Sequence, residues 1–136
     1  MLYVDSSALV KLYFEEPGSA EFRLILSQHP QTALTSVVTY AEVLAALARS
    51  EREGRISRRE RIGQRRVFER HWEQFSIVEL SVEVLRPAAR LIDAYALRGY
   101  DTVQLCSALW VGTPQFACFD KRLRAAAEQE GLEVSP

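Results

Sequence analysis

Five short apolar runs are spaced along the chain, and the first four each give way within a few residues to a segment of helical periodicity. This repeated change from strand to helix limits the possible folds more than any other feature. Leu2, Tyr3 and Val4 form the first run, and Asp5 ends it where an N-cap is wanted for SSALVKLYF, a short helix with Ala8, Leu9 and Leu12 on its inner side. Pro17 suits the first turn of a second helix, Ser19 to Gln28, with Phe22, Ile25 and Leu26 at helical spacing. Ala33 to Thr35 is the second run, and the helix VVTYAEVLAALAR opens at Ser36 or Thr39. Beyond Gly54, Ser57 and Glu60 have capping-box spacing at the start of a helix whose sparse apolar face is Ile62, Phe68, Trp72 and Phe75. Trp72 on that face reads as packing rather than as a base-stacking platform.

The third run is Ser76 to Leu80, and Ser81 can cap a helix with Leu85, Ala88, Ala89, Ile92 and Ala96 inward, kinked at Pro87 and closed by Arg98 and Gly99. Asp101 then stands at the N-cap of TVQLCSALWV. Phe116 to Phe119 is the fourth run, Asp120 starts the helix KRLRAAAEQE, Gly131 ends it, and Leu132 to Val134 is the last run. Strands alternating with helices throughout predict an α/β domain with a parallel sheet covered on both faces. At 136 residues the chain suits one domain, and no repeat, linker or low-complexity segment divides it.

Charge is unevenly distributed. Between Arg49 and Arg70 nine arginines face four glutamates, a balance of +5, which against a total of −1 leaves −6 on the remainder. A basic arm on an acidic body suits a phosphate-bearing partner, although a solvated helix with i,i+4 pairs gives the same pattern. Cys106 and Cys118 lie in apolar surroundings and read as buried thiols of a reducing compartment. No run of 18 apolar residues and no signal-peptide pattern is present, so the expected setting is the cytoplasm, away from membranes.

Four acids stand out. Asp5 and Asp120 follow predicted strands, Asp101 opens a helix after a glycine turn, and Glu42 has Val38, Thr39, Ala45 and Ala46 as helix-face neighbours. Each has an ordinary explanation: aspartate is a good N-cap, and Thr39 to Glu42 has capping-box spacing. Together they are harder to explain by capping, because gathered carboxylates persist only when protons or cations neutralise them. Hard oxygen donors without paired Cys/His spacing select Mg²⁺ or Mn²⁺ over zinc. With only His29 and His71, a Ser-His-Asp scheme is weakly supported, and the six scattered glycines form no phosphate loop.

MLYVDSSALVKLYFEE, TSVVTYAEVLAALAR, RGYDTVQLCSAL and FACFDKRLRAAAEQEGL resemble, in order and spacing, the four signature blocks of the PIN-domain family, above all its VapC-type ribonuclease toxins. That resemblance implies a three-layer αβα sandwich around a parallel sheet of four to five strands. It also implies a Mg²⁺- or Mn²⁺-dependent endoribonuclease that cuts RNA, usually forms a homodimer, and is held inactive by a cognate antitoxin. Asp5, Glu42, Asp101 and Asp120 match the family's acidic quartet as catalytic, metal-holding residues, and Ser7 matches its supporting hydroxyl residue. Cys118 stands where family members often carry Thr or Ser, so no hydroxyl there supports Asp120. Arg58, Arg61, Arg65 and Arg66 are the candidate contacts to RNA or antitoxin. Two other readings remain open: a catalytically silent PIN-like module that binds RNA or a protein, and a receiver-like phosphoacceptor. The second needs adjacent acids after the first strand, where this chain has serines.

Overall fold

The computed structural model describes residues 1–136. Five parallel strands, β1 (Leu2–Val4), β2 (Ala33–Ser36), β3 (Ser76–Val78), β4 (Gln115–Ala117) and β5 (Glu133–Ser135), lie in the order β3-β2-β1-β4-β5. β1 is central, with Tyr3 opposite Leu34 on one side and Phe116 on the other. Seven helices cover the sheet: α1 (Ser6–Leu9), α2 (Ser19–Ser27), α3 (Val38–Arg52), α4 (Arg58–Trp72), α5 (Ala88–Tyr95), α6 (Gly99–Val111) and α7 (Lys121–Gln129).

Two cores follow from the two-residue period of the strands. Tyr3, Leu34 and Phe116 point to one face and meet Leu91, Leu105 and Leu123 from α5, α6 and α7. Leu2, Val4, Ala33 and Ala117 point to the other and meet Leu9, Phe22, Val43 and Phe68 from α1 to α4. Tyr3 and Phe116 stack with ring centroids 5.5 Å apart. The result is the expected three-layer αβα arrangement. Trp72 packs edge-on against Tyr40 and Phe68 within the second core.

Several local expectations are corrected. The first helix ends at Leu9 and continues only as a 3₁₀ turn over Val10–Leu12. Glu42 does not cap its own helix: α3 starts at Val38 with no side-chain cap, and Thr39 is buried within its first turn. The Ser57–Glu60 capping box forms with both of its bonds, but Ile62 beyond it is exposed. After β3 the chain turns through residues 82–87, so Pro87 begins α5 rather than kinking it. The inward stripe of α5 is accordingly Ala88, Leu91 and Tyr95, while Ala89, Ile92 and Ala96 are exposed. Ala96, in the left-handed region, ends α5. Gly99 opens α6 instead of closing α5, and Arg98 rather than Asp101 is the N-cap.

At one position a glycine matters for the cleft described below. Gly18 has φ 93°, and a Cβ there would stand 2.4 Å from the Phe119 ring, which also carries the Lys11 ammonium 4.7 Å from its centroid. Gly18→Ala combines left-handed strain with this clash and should cost about 1–3 kcal/mol. Denaturant unfolding checks this; an unchanged midpoint would mean that the turn and ring relax freely.

Candidate active site

In a parallel sheet the crevice lies beyond the carboxyl ends of the strands, where the connections from neighbouring strands diverge. Here that point is the end of β1, between β2 and β4. A cleft of about 1120 Å³ opens there, lined by Asp5, Ser7, Glu42, Asp101 and Asp120. The fold thus brings all four acids and Ser7 to one place from four separate stretches of sequence.

Asp5 is the buried member, 3% exposed. It caps α1 by accepting from the Ser7 backbone N–H at 3.0 Å, and the Ser7 hydroxyl and the Cys118 thiol donate to the same oxygen, Oδ2. All three donors address Oδ2, which leaves Oδ1 as the oxygen available to a cation. Burial pushes the Asp5 carboxyl above the ordinary aspartate range, and the Ser7 bonds only partly offset it. The Ser7 hydroxyl also accepts from the Phe119 backbone N–H at 2.9 Å, which fastens the β1–α1 turn to the segment after β4.

Cys118 supports Asp5 and not the carboxylate of Asp120. Its sulfur is 3.5 Å from Asp5 Oδ2 and 3.6 Å from the backbone carbonyl of Asp120. Burial first, and the Asp5 charge second, raise the thiol far above its ordinary range, so it is a neutral donor and an inert nucleophile.

Glu42 is held from α6. The Gln104 amide donates to Glu42 Oε2 at 2.6 Å and lies 2.8 Å from the Thr39 hydroxyl, and its oxygen accepts from Tyr3 at 2.7 Å. One buried amide therefore joins β1, α3 and α6. Burial raises the Glu42 carboxyl, and the charges of Asp5 and Asp101 push in the same direction. Asp120 caps α7 through Oδ1, accepting from Leu123 N–H at 2.9 Å. Asp101 sits in the first turn of α6, and its Oδ2 meets the Arg98 guanidinium at 3.0 Å. Arg98 also reaches Asp120 Oδ2 at 3.7 Å. No three of the acids converge closely enough to ligate a single ion in this arrangement.

The four expected arginine contacts lie elsewhere. Arg58, Arg61, Arg65 and Arg66 sit on α4 and none lines the cleft; Arg61 pairs with Glu51, and Arg65 with Glu69 at 3.0 Å. The cations at the cleft are Lys11, Arg49 and Arg98. Sequence reasoning did not assign a site role to Gln104 or Arg98, although both had signals: an amide between the apolar Val103 and Leu105, and an arginine three residues before an acid.

Two outcomes follow from this arrangement. Gln104→Leu strands the Tyr3 hydroxyl in the core and should cost about 1–3 kcal/mol, with the Glu42 carboxyl shifting further up. Unchanged unfolding would show that the amide is dispensable. The second concerns pH. Because Asp5 and Glu42 hold protons more tightly folded than unfolded, their contribution to stability falls as pH rises from the ordinary carboxylate range through the raised folded values. The stability of metal-free wild type relative to the Asp5→Asn, Glu42→Gln double variant should therefore drop as pH rises above the ordinary carboxylate range. A difference that is flat or rises with pH would contradict the assignment.

The comparisons with known proteins agree with this architecture. The PIN domain profile matches residues 2–129. Ribonuclease VapC45 and Ribonuclease VapC49, both of Mycobacterium tuberculosis, are each 39% identical over 138 residues, covering all of this chain and 95% of theirs. Ribonuclease VapC46 of the same species is 30% identical, with 98% of this chain and 95% of its own covered. Among solved structures, the sarcin-ricin loop cleaving toxin VapC20 of M. tuberculosis superimposes with TM-score 0.71 at 15% identity, covering 93% of this chain and 95% of that one. A Pyrobaculum aerophilum protein gives 0.72 at 22% identity, with 98% and 87% covered. At these identities the structures speak to fold alone. From the family match across nearly its whole length and its full-length ribonuclease relatives, the chain belongs to the PIN-domain family.

Proposed function

We propose that this protein is an endoribonuclease toxin of a toxin–antitoxin pair, dependent on Mg²⁺ or Mn²⁺. The observation that carries the proposal is the meeting of Asp5, Glu42, Asp101 and Asp120 in one cleft at the end of the central strand, with Asp5 raised in pKa by burial and Glu42 by burial and by the charges of Asp5 and Asp101. Its relatives named as ribonucleases support the ribonuclease assignment, and a Klebsiella pneumoniae toxin–antitoxin complex (TM-score 0.68, 17% identity, 88% of this chain and 87% of that one covered) shares the fold.

The site fits a hard divalent cation in donor chemistry. All the donors are carboxylate oxygens, no histidine lines the cleft, the Cys118 thiol beside Asp5 is held neutral, and a guanidinium already bridges two of the acids. Asp5 and Asp101 would hold the ion, with Glu42 and Asp120 joining directly or through water. When bound it would polarise a phosphoryl oxygen and lower the pKa of the attacking water. The chain's own residues do the positioning. Ser7 and Cys118 lock one Asp5 oxygen, Gln104 aims Glu42, and the first turn of α7 fixes one Asp120 oxygen. Hydrolysis by in-line attack leaves a 5′-phosphate and a 3′-hydroxyl.

An antitoxin would silence the site by placing a basic side chain, most simply an arginine, against the same carboxylates. Arg58 and Arg66, exposed and outside every ion pair on α4, offer a surface for RNA or for that partner. A homodimer associated with antitoxin in the cytoplasm completes the proposal; no helix is long and apolar enough to cross a membrane. The rival reading, a silent PIN-fold module, finds support in the acids' failure to converge on one point. The presence of all four acids counts against it.

Stability measurements separate the two without knowledge of the RNA target. Mg²⁺ at about a hundred times its dissociation constant should stabilise wild type by roughly 2.7 kcal/mol, or on the order of 5 to 15 °C in Tm. Asp101→Asn should lose most of that gain, and cleavage of cellular RNA should vanish on chelation. Full activity after exhaustive metal removal, or equal Mg²⁺ response in both proteins, would remove the metal-dependent reading.

A further inference from the structure

Arg98 occupies a position that the proposed mechanism does not use. Its backbone is fixed as the N-cap of α6, where its carbonyl accepts from the Thr102 backbone N–H at 2.9 Å and from the Thr102 hydroxyl at 2.8 Å. Its side chain is 75% exposed, so packing does not hold it. What locates the guanidinium is charge: Nε lies 3.0 Å from Asp101 Oδ2, and Nη2 lies 3.7 Å from Asp120 Oδ2. The other Asp120 oxygen is committed to Leu123 N–H. One oxygen of each acid is thus engaged by a cation belonging to the chain itself, and for Asp120 it is the oxygen that the helix terminus leaves free.

We propose that Arg98 is a tethered counter-cation that competes with the divalent ion for Asp101 and Asp120 and so sets the metal concentration at which the site assembles. This rests on the reading of the acids as a metal site. Arg98 is a positioning residue here, acting through the two aspartates. In the metal-free protein it neutralises part of the carboxylate cluster; when the ion arrives it must leave, and its exposure makes departure easy. Because exposed ion pairs are weak, the competition is modest, about two- to tenfold in affinity. A plain surface pair that only supports the helix start would instead affect stability and leave metal affinity untouched.

Mn²⁺ titration followed by the electron paramagnetic resonance signal of the free ion tests this directly, using wild type, Arg98→Gln, Arg98→Lys and Arg49→Gln. Arg49 lines the same cleft but pairs with none of the acids, so it controls for the loss of one positive charge. Arg98→Gln should bind Mn²⁺ about two- to tenfold more tightly than wild type, with Arg98→Lys between them, and the gap should narrow as salt rises. Arg49→Gln should stay close to wild type. Equal or weaker binding by Arg98→Gln, or equal tightening by Arg49→Gln, overturns the role of Arg98 while leaving the metal site in place. Absence of Mn²⁺ binding by every protein overturns both.

Discussion

Burying the carboxylate of Asp5 at the end of the central strand is the constraint around which the rest of the molecule is arranged. A charge removed from water is tolerated only when donors or a cation compensate it. Three donors do so here: the Ser7 backbone, the Ser7 hydroxyl and the Cys118 thiol. Two belong to the turn that leaves β1, and the third to the segment that leaves β4. The compensation of one acid therefore ties together the two strand ends between which the cleft opens. Burial still wins, and the carboxyl remains above its ordinary range. An acid that is positioned but not fully neutralised is what a cation-binding site needs.

The other acids are held more loosely and in different ways. Glu42 depends on Gln104, an amide whose remaining bonds reach Tyr3 and Thr39 in the interior. Asp120 gives one oxygen to a helix terminus and keeps one for a cation. Capping and cation binding are thus not rival explanations for Asp5 or Asp120, because a carboxylate has two oxygens and each role uses one. Of the three aspartates Asp101 alone is no cap, and its partner in the metal-free protein is Arg98.

The alternation of apolar runs with helical periodicity made the layered parallel sheet legible, since strand period and helix period are local properties. The four acids were legible for a related reason: they stand where a strand or a helix hands over to the next helix, or on an apolar helix face, and such places tell against a solvated role. What stayed hidden depended on contacts between distant segments. The Gln104 amide meets Tyr3 from 101 residues away, and no periodicity marks such a pair. Cys118 could be compared with hydroxyl residues at its position, yet only the fold shows its sulfur turned to Asp5. The residues after β3 were misjudged because Ser81 offers a valid start signal, whereas the chain forms turns until Pro87 supplies a second one. The basic arm drew attention by its charge count, but i,i+4 pairing and pairing to α3 absorb two of its four singled-out arginines.

The central claim is that Asp5, Glu42, Asp101 and Asp120 together form a single divalent-cation site. Anomalous diffraction from crystals grown with Mn²⁺ tests it most directly. The account predicts a peak in the cleft at the end of β1, ligated by Asp5 and Asp101, with Glu42 and Asp120 bound to it directly or through water and Arg98 displaced. A Mn²⁺ peak elsewhere on the protein, or an empty cleft at saturating Mn²⁺ with Arg98 still bridging Asp101 and Asp120, would contradict it.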